Sequence, residues 1–557
     1  MSNPQYDVVI VGAGIAGSAL AHALSSIGPR RERPLKIALL ERSLAKPDRI
    51  VGELLQPGGA NALKELGLAA CLEGIGAIPV HGYCIIESGR NVRIPYTGSN
   101  EGRSFHHGEF VMSLRAAAHR ASGVDVIEAT VTDLIEKQGT QQVVGVRARV
   151  RKETSGGGGE SSEKAEDEVK EFRASLVVIA DGCASNFRSK VMGKEGATPV
   201  TNSHFVGAIL KDTELPIPQH GTVALVKKGF GPVLLYQISK HDTRMLIDVK
   251  VPLPADLKVC SLFLRPISIT NAVSPLDQSH ILTNIVPQLP SSLHIPIQNA
   301  LSSDRIRRMP NSFLPPIKQG SRSTKSGVIL VGDAWNMRHP LTGGGMTVAL
   351  HDVVMLRDML ADVRDLGDAS EIRELLGKWH WSRKPLASMI NILSFALYDL
   401  FGADDEKLEV LRTGCFKYFE LGGECVDGPV SLLSGVAPSP ALLAWHFFSV
   451  AFYSIWVMFT HPMPVKQLSS GFADKPVYAV ARPHQYPSLF IKSIRVFWTA
   501  CVVFGPLLWS EIRWWAPAAP AKHASRSWVS TPSSVMLLLS MGLAYCWHAG
   551  YLQLIQS

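Results

Sequence analysis

The sequence predicts an α/β protein, and three observations carry that prediction. Apolar runs that read as buried parallel strands end three times in glycine and acidic residues, around Gly12, Asp181 and Asp333. Short strands with polar turns fill the middle of the chain, as in an antiparallel sheet. Long apolar helical stretches are concentrated toward the C-terminus. The expected architecture is a Rossmann-type nucleotide-binding domain, an antiparallel-sheet domain and a C-terminal helical, membrane-associated region.

The first element is Asp7-Val-Val-Ile-Val-Gly12-Ala-Gly14-Ile15-Ala16-Gly17, followed by an alanine-rich helical pattern. Glycines spaced G-x-G-x-x-G between a strand and a helix form a dinucleotide fingerprint. Gly12 permits the tight turn, Gly14 lets a pyrophosphate approach the backbone, and Gly17 lets the helix lie close to the strand. The free N–H groups of the helix start then face phosphate charge. The second strand, Ile37 to Leu40, ends in Glu41-Arg42, which places a carboxylate where a ribose hydroxyl would be held. The fingerprint leaves open whether the nucleotide belongs to FAD or to a nicotinamide.

The loop Lys46 to Gly59 carries Arg49, Leu54, Gln56 and the pair Gly58-Gly59, whose lack of side chains predicts a close approach by something flat. A helix over Ala60 to Leu66 and strands over Val80 to Ile86 and Val92 to Tyr96 follow. His106-His107 precede a helix carrying Arg115; in a strand such neighbours point to opposite faces, so structural or substrate-lining roles are expected over metal binding. Val126-Ile127 and Val143 to Arg151 continue the strand pattern, with Val131 between them. Lys152 to Lys170 is rich in Gly, Ser and Glu and predicts a disordered hairpin tip without catalytic function.

Leu176 to Ala180 is a strand ending in Asp181-Gly182 and followed by Arg188; Val328 to Val331 is another, ending in Gly332-Asp333 and leading to Gly343-Gly344-Gly345-Met346. Carboxylates at such tips suit sugar hydroxyls, and glycine-rich helix starts suit phosphate or a ring carbonyl. Between them, Val206 to Lys211, Val223 to Leu225, Val233 to Ile238 and Arg244 to Val249 read as antiparallel strands. The run Val259 to Gln278 fits neither this sheet nor the helix expected from Ser279, and interrupts the pattern.

The chain has 557 residues, 46% hydrophobic, with 56 basic and 48 acidic side chains and a net charge of +8. That modest excess suits an anionic membrane surface, and no basic motif with interleaved aromatics argues for nucleic acid. Eight cysteines without a C-x-x-C pair or a His-containing metal spacing read as reduced core residues of a cytosol-facing protein. The first strand begins by Tyr6, so no N-terminal signal or anchor is expected to precede the fold. The mean hydropathy of +0.12 comes mostly from Ala441 to Thr460, Leu489 to Trp509 and Val535 to Ile555. The uncharged core Val496 to Trp509 is roughly 21 Å long and predicts a helix lying in or dipping into the bilayer. Leu442 to Phe459 and Val535 to Ile555, roughly 27 and 31 Å, are long enough to span. Lys492, Arg495, Arg513, Lys522 and Arg526, with Trp498, Trp509, Trp514, Trp515 and Trp528, flank these stretches as interfacial anchors do.

The three nucleotide motifs together resemble the flavoprotein monooxygenases of the para-hydroxybenzoate hydroxylase type. With Asp48 to Gly59, Phe105-His-His-Gly108, Met112-Ser-Leu-Arg115, Met337 to Thr347 and Leu421 to Val426, the resemblance narrows to the squalene monooxygenase (squalene epoxidase) family and covers nearly the whole chain. It implies a bound FAD, electrons from NADPH through a separate membrane-bound cytochrome reductase, and transfer of one oxygen of O₂ to the terminal double bond of squalene. Residue by residue it implies that Ile15, Ala16, Glu41 and Arg42 line the adenosine side of FAD, with Arg49, Leu54, Arg115, Val131, Asp333 and Met346 around the rest. Tyr83 matches the family's active-site tyrosine, acting through Gln56 next to the flavin, in a positioning role. Sterol biosynthesis at the endoplasmic reticulum membrane, with the catalytic part facing the cytosol and a share on lipid droplets and microsomes, is the implied setting.

The resemblance divides the chain into FAD-binding parts (1–80, 115–195, 321–360), substrate-domain parts (81–114, 196–320), a helical region (361–440) and membrane-anchoring helices (441–557). Two departures stand out. Many members carry an N-terminal hydrophobic extension that this sequence does not show, so attachment is expected to rest on the C-terminus. Residues 259–278 have no counterpart in the family pattern and read as an insertion such as a translated intron would supply. Rival readings are an aromatic or quinone-ring hydroxylase of the same fold and a non-catalytic prenyl-lipid carrier, the latter disfavoured by the intact Glu41, Asp181-Gly182 and Gly332-Asp333.

Overall fold

A computed structural model of the chain describes residues 5–27, 33–150, 168–226, 231–250, 275–303, 306–403, 405–461, 463–465 and 477–512. In chain order these hold β1 (Tyr6–Val11), α1 (Ile15–Ser25), β2 (Ile37–Glu41), β3 (Leu54–Leu55), α2 (Pro57–Glu65), β4 (Ile78–Val80), β5 (Gly82–Glu87), β6 (Arg90–Pro95), β7 (Gly102–Ser104), α3 (His107–Arg120), β8 (Val124–Glu136), β9 (Val143–Val150) and β10 (Glu168–Ile179). Then come α4 (Arg188–Met192), β11 (Val200–Lys211), β12 (Gly221–Leu225), β13 (Val233–Gln237), β14 (Asp242–Lys250), α5 (Pro275–His280), α6 (His294–Ser303), β15 (Arg307–Phe313) and β16 (Val328–Leu330). The helices α7 (Gly345–Ala361), α8 (Ala369–Ser382), α9 (Lys384–Gly402), α10 (Glu406–Glu420), α11 (Glu424–Leu433), α12 (Pro440–Thr460) and α13 (Tyr486–Ile512) complete the described fold with a small hairpin, β17 (Met463–Val465) and β18 (Val477–Ala479).

One sheet carries the nucleotide motifs. In it β1 lies between β2 and β10, and β16 pairs with β10, all parallel, so the three apolar runs end on the same side. Their side chains are buried on both faces, as the unbroken apolar runs require. β8 and β9 extend the sheet, and β9 pairs antiparallel with β10 from Val150↔Glu168 onward. Glu168, Val169 and Lys170 are therefore strand and not the tail of a disordered loop. Their polar composition is overridden because β9 offers a partner for each backbone group, while residues 151–167 lie outside the described residues.

The second sheet has seven strands in the order β15-β11-β14-β13-β12-β5-β6. It departs from the all-antiparallel expectation at one place: β5 and β12 run parallel, with Tyr83 opposite Gly221. The chain passes into this sheet twice, from residue 82 and again from residue 200, and strands of both passages join in that pairing. The helix expected from Ser279 begins earlier, at Pro275, inside the stretch read as an insertion; residues 251–274 lie outside the described residues.

Helices α9 to α13 pack on one another. α13 is 27 residues long, about 40 Å, well beyond the 21 Å of its uncharged core. Lys492 permits this extension because its ammonium turns away to pair with Glu406 at 2.7 Å. Three helices of the described residues are long and apolar enough to cross a membrane: Lys384–Gly402, Pro440–Thr460 and Pro483–Trp509. The first is mostly buried within the protein, whereas Trp445, Phe452 and Trp456 on α12 and Phe490, Ile494 and Trp509 on α13 are exposed. This is a membrane-associated architecture. The stretch Val535 to Ile555 lies outside the described residues.

Candidate active site

The strand tips gather the fingerprint residues. Gly12 has φ +103°, and a Cβ there would lie 2.5 Å from the Ala180 carbonyl at the end of β10; one on Gly17 would strike the Gly12 carbonyl. These two glycines are required by the protein's own packing. Gly14, Gly182 and Gly345 differ, since a Cβ on any of them would meet nothing within 4 Å. Each lies at a strand tip or helix start, so they leave space for a ligand to approach the backbone. Ile15 and Ala16 form the first turn of α1, Met346 is buried in the first turn of α7, and the Ala16 methyl faces Gly332.

Two arginines hold the loops around this space. Arg115 Nε donates to the Ala13 carbonyl at 2.8 Å and Nη1 to Ala45 at 3.1 Å, while Glu41 Oε2 accepts the Ala13 N–H at 2.8 Å. Arg188 Nε donates to Ala334 at 2.7 Å, and its Nη2 donates to Asp333 and Cys183 carbonyls at 3.0 Å each. The second and third acidic tips are thereby tied together. Burial raises the carboxyl pKa of Asp181 and, against the attraction of Arg338, Arg49 and Arg188, that of Asp333. Asp333 is densely surrounded by protein yet open to solvent, as a side chain lining a recess must be. Asp181 Oδ2 accepts the Asn186 N–H, but Oδ1 is buried with no partner. An orphaned acceptor beside open glycines and a helix N-terminus fits a dinucleotide bearing hydroxyl donors and a pyrophosphate. Arg49 is exposed and acts on Asp333 through its charge. Arg42 and Val131 stand further out: Arg42 is exposed after β2, and Val131 lies beyond the β2–β8 pairing, which ends at Glu41↔Glu128.

Gln56 and Tyr83 do meet. Gln56 Nε2 donates to the Thr342 carbonyl at 3.0 Å, and the Tyr83 hydroxyl donates to the same carbonyl at 3.5 Å. Leu54 lies beside Gly343, the next residue. A third side chain, not singled out from the sequence, completes the group: Tyr96 donates its hydroxyl to Gln56 Oε1 at 2.6 Å, and its ring meets Tyr83 edge-on at 5.7 Å. Burial holds both phenols well above the usual tyrosine pKa, so both remain protonated. In the sequence Tyr96 is marked only as the end of a strand. Its one available signal was an aromatic hydroxyl directly after Pro95, where a strand stops.

The same buried apolar cluster contains Tyr83, Tyr96, Leu341, Tyr398, Cys415 and Phe419. Cys415 and Phe419 also line an apolar cavity among α9 to α13, walled by Leu397, Leu411, Pro429 and Phe447. Hydrocarbon side chains are thus continuous from the Gln56 amide to the helices with exposed apolar faces.

A model of the squalene epoxidase family matches residues 173–470. The chain is 43% identical over 516 residues to the squalene epoxidase erg1 of Aspergillus fumigatus, covering 91% of this chain and 93% of that protein. It is 40% identical to the squalene monooxygenase of Mus musculus, covering 91% of this chain and 78% of that one. The chain belongs to the squalene epoxidase family. Solved structures share the fold at lower identity. They include HpxO of Klebsiella pneumoniae complexed with FAD and uric acid (TM-score 0.55, 18% identity, 77% of this chain and 97% of that one) and PqsL of Pseudomonas aeruginosa (TM-score 0.53, 18%, 72% and 98%).

Several expectations need correction. The flat object approaching Gly58 and Gly59 is the protein itself: a Cβ on Gly58 would lie 2.5 Å from the Gly435 carbonyl, and one on Gly59 would strike Leu55 and Thr347. α2 begins at Pro57, and these glycines let it nest against the chain after α11. His106 and His107 start α3 and do not lie in a strand; His106 Nε2 meets Asp242 at 2.9 Å and His107 Nδ1 donates to the Gly52 carbonyl at 3.0 Å. Both therefore brace the Arg49–Gln56 loop region and the second sheet. Cys183 is exposed, although Cys71, Cys84 and Cys415 are buried as expected. Arg244, which no local pattern singles out, pairs bidentately with the buried Glu53 at 2.7 and 2.9 Å and pins that loop to β14.

Proposed function

We propose that the chain is a FAD-dependent monooxygenase that epoxidises squalene to (S)-2,3-oxidosqualene, using O₂ and electrons passed from NADPH by a separate reductase. The observation that supports this reading is the buried Gln56–Tyr83–Tyr96 group, which bonds to the turn before the glycine-rich start of α7 and shares an apolar cluster with the walls of a hydrocarbon-lined cavity. FAD, when bound, supplies the activation of O₂. Gly12, Gly14, Ile15, Ala16 and Gly17 would receive its pyrophosphate. Glu41 and Arg42 would face the adenosine side, while Arg49, Leu54, Arg115, Val131, Asp333 and Met346 would surround the remainder. Gln56 and Tyr83 would position the flavin edge and move no proton, since the amide does not titrate and burial keeps the Tyr83 phenol protonated. The cavity excludes water and orients an alkene that offers no polar handle.

A substrate of this kind partitions into lipid, which accounts for the exposed apolar faces of α12 and α13. We place the protein at the endoplasmic reticulum membrane with its catalytic part toward the cytosol, and also on lipid droplets and microsomes. Residues 259–278 are proposed to be an insertion such as a translated intron supplies; transcripts that lack this stretch are expected, and a message that encodes it, with the segment well ordered in the protein, would refute this. The function is tested by incubating detergent-purified protein with FAD, NADPH, an added cytochrome reductase and squalene. Oxidosqualene is the expected product; colourless protein that yields none would overturn the reading.

A further inference from the structure

The Thr342 carbonyl that receives Gln56 and Tyr83 ends the short turn Pro340–Thr342, and the residue before that turn is His339. Its Nδ1 accepts the Leu341 N–H at 3.2 Å. That nitrogen therefore carries no proton, and the neutral ring holds its proton on Nε2. Nε2 lies 3.2 Å from Asp248 Oδ1 and 3.2 Å from Ser203 Oγ. The Ser203 hydroxyl donates to the same carboxylate oxygen at 2.5 Å, and Asn311 Nδ2 donates to it at 3.0 Å. From α9, Ser394 donates to the His339 carbonyl at 2.6 Å. The imidazole is walled by Tyr398 at 4.3 Å and Phe205 at 5.3 Å.

All five polar members are buried, with Asp248 1% and His339 4% exposed. Three of them come from adjacent strands, Ser203 on β11, Asp248 on β14 and Asn311 on β15. A carboxylate this deep is costly unless donors converge on it, and apolar packing would hold a turn as firmly. What packing would not supply is direction. The cluster fixes the rotation of one ring, whose Nδ1 in turn fixes the backbone that carries the Thr342 carbonyl.

We propose that Asp248 and His339 are positioning residues for the epoxidation. The carboxylate orients the imidazole, the imidazole orients the Pro340–Thr342 turn, and the turn sets the Gln56 amide and Tyr83 hydroxyl. This rests on the function proposed above. The seven-stranded sheet that carries Tyr83 on β5 thus also carries, on β11, β14 and β15, the cluster that holds the turn Tyr83 bonds to.

The test uses the full chain purified in detergent with FAD bound. Asp248→Asn and His339→Leu are expected to lower kcat per bound flavin about 10- to 100-fold, the penalty of a misplacement near 1 Å. KM for squalene is expected to stay within about twofold, flavin content to match the parent, and the visible flavin bands to shift. His339→Asn, which restores an acceptor near the Leu341 N–H, is expected to recover at least about threefold of the loss. A purely structural role predicts lower melting temperature and flavin loss with kcat per bound flavin unchanged, and that result overturns the inference. Should those variants not fold, Ser394→Ala decides: a loss of about three- to tenfold in kcat per flavin is expected, and parity with the parent refutes the inference. A colourless, inactive parent overturns the proposed function along with it, whereas a yellow, active parent whose variants turn over normally overturns this inference alone.

Discussion

Tyr96 donates its hydroxyl to Gln56 Oε1 at 2.6 Å while Gln56 donates its Nε2 to Thr342, so the amide cannot flip without losing both bonds. Gln56 is fully buried, so bulk solvent would not replace either bond.

Tyr96→Phe should therefore leave an unpaired buried acceptor, costing about 1–3 kcal/mol of stability. It should also lower kcat more than Tyr83→Phe does, because the Tyr83 bond to Thr342 is longer, at 3.5 Å. Steady-state kinetics and thermal unfolding of both variants check this, and a larger loss from Tyr83→Phe would contradict the orienting role given to Tyr96.

Acid stability should depend on His107. Burial pushes its pKa down to about 4, with Arg49 and Arg115 acting in the same direction against its bond to Gly52. The unfolded chain binds this proton near pH 6.5. The stabilising contribution is complete above that pH and is lost as pH falls toward 4, by on the order of 3 kcal/mol at most. His380, pushed to about 3 by burial and nearby Lys384, acts in the same sense. Melting temperature measured from pH 7 to 4.5 should fall less steeply in His107→Gln than in the parent; parallel curves would rule the residue out.

Removing one partner of the buried Glu53–Arg244 pair should destabilise by about 3–5 kcal/mol, because the other charge is left in the interior. Glu53→Leu combined with Arg244→Met should cost less than either single change. Denaturant unfolding of the three variants forms the cycle, and strictly additive losses would count against the pair acting as a unit.

Phe452→Lys with Trp456→Lys places two charges on the exposed face of α12. Flotation with phospholipid vesicles should show at least about a tenfold drop in bound protein, with flavin content retained in detergent. Unchanged binding would mean that membrane attachment does not use this face.

Short-range patterns in the chain were enough to locate the strand tips, since strand, turn and helix follow one another within about a dozen residues around Gly12 and again around Gly332. Gln56 and Tyr83 were reachable only through family motifs. Tyr96, Arg244, Asp248 and His339 carry no role that the sequence states, because each gains it from a partner between 40 and 191 residues away, and no local period encodes such a pairing. The same reason explains Gly58 and Gly59: a glycine pair announces close approach, but only the fold reveals that Gly435 approaches the first and that Leu55 and Thr347 approach the second. Residues 168–170 were misread because composition ignores the free strand edge beside them.

Arg115 and Arg188 direct their Nε atoms, and in each case a further nitrogen, to backbone oxygens around the strand tips. A vessel braced from outside keeps its contour when emptied. Protein stripped of its prosthetic group under mild conditions should accordingly take it up again by simple mixing, at a rate set by diffusion into a standing mould and not by any renewed collapse of the chain.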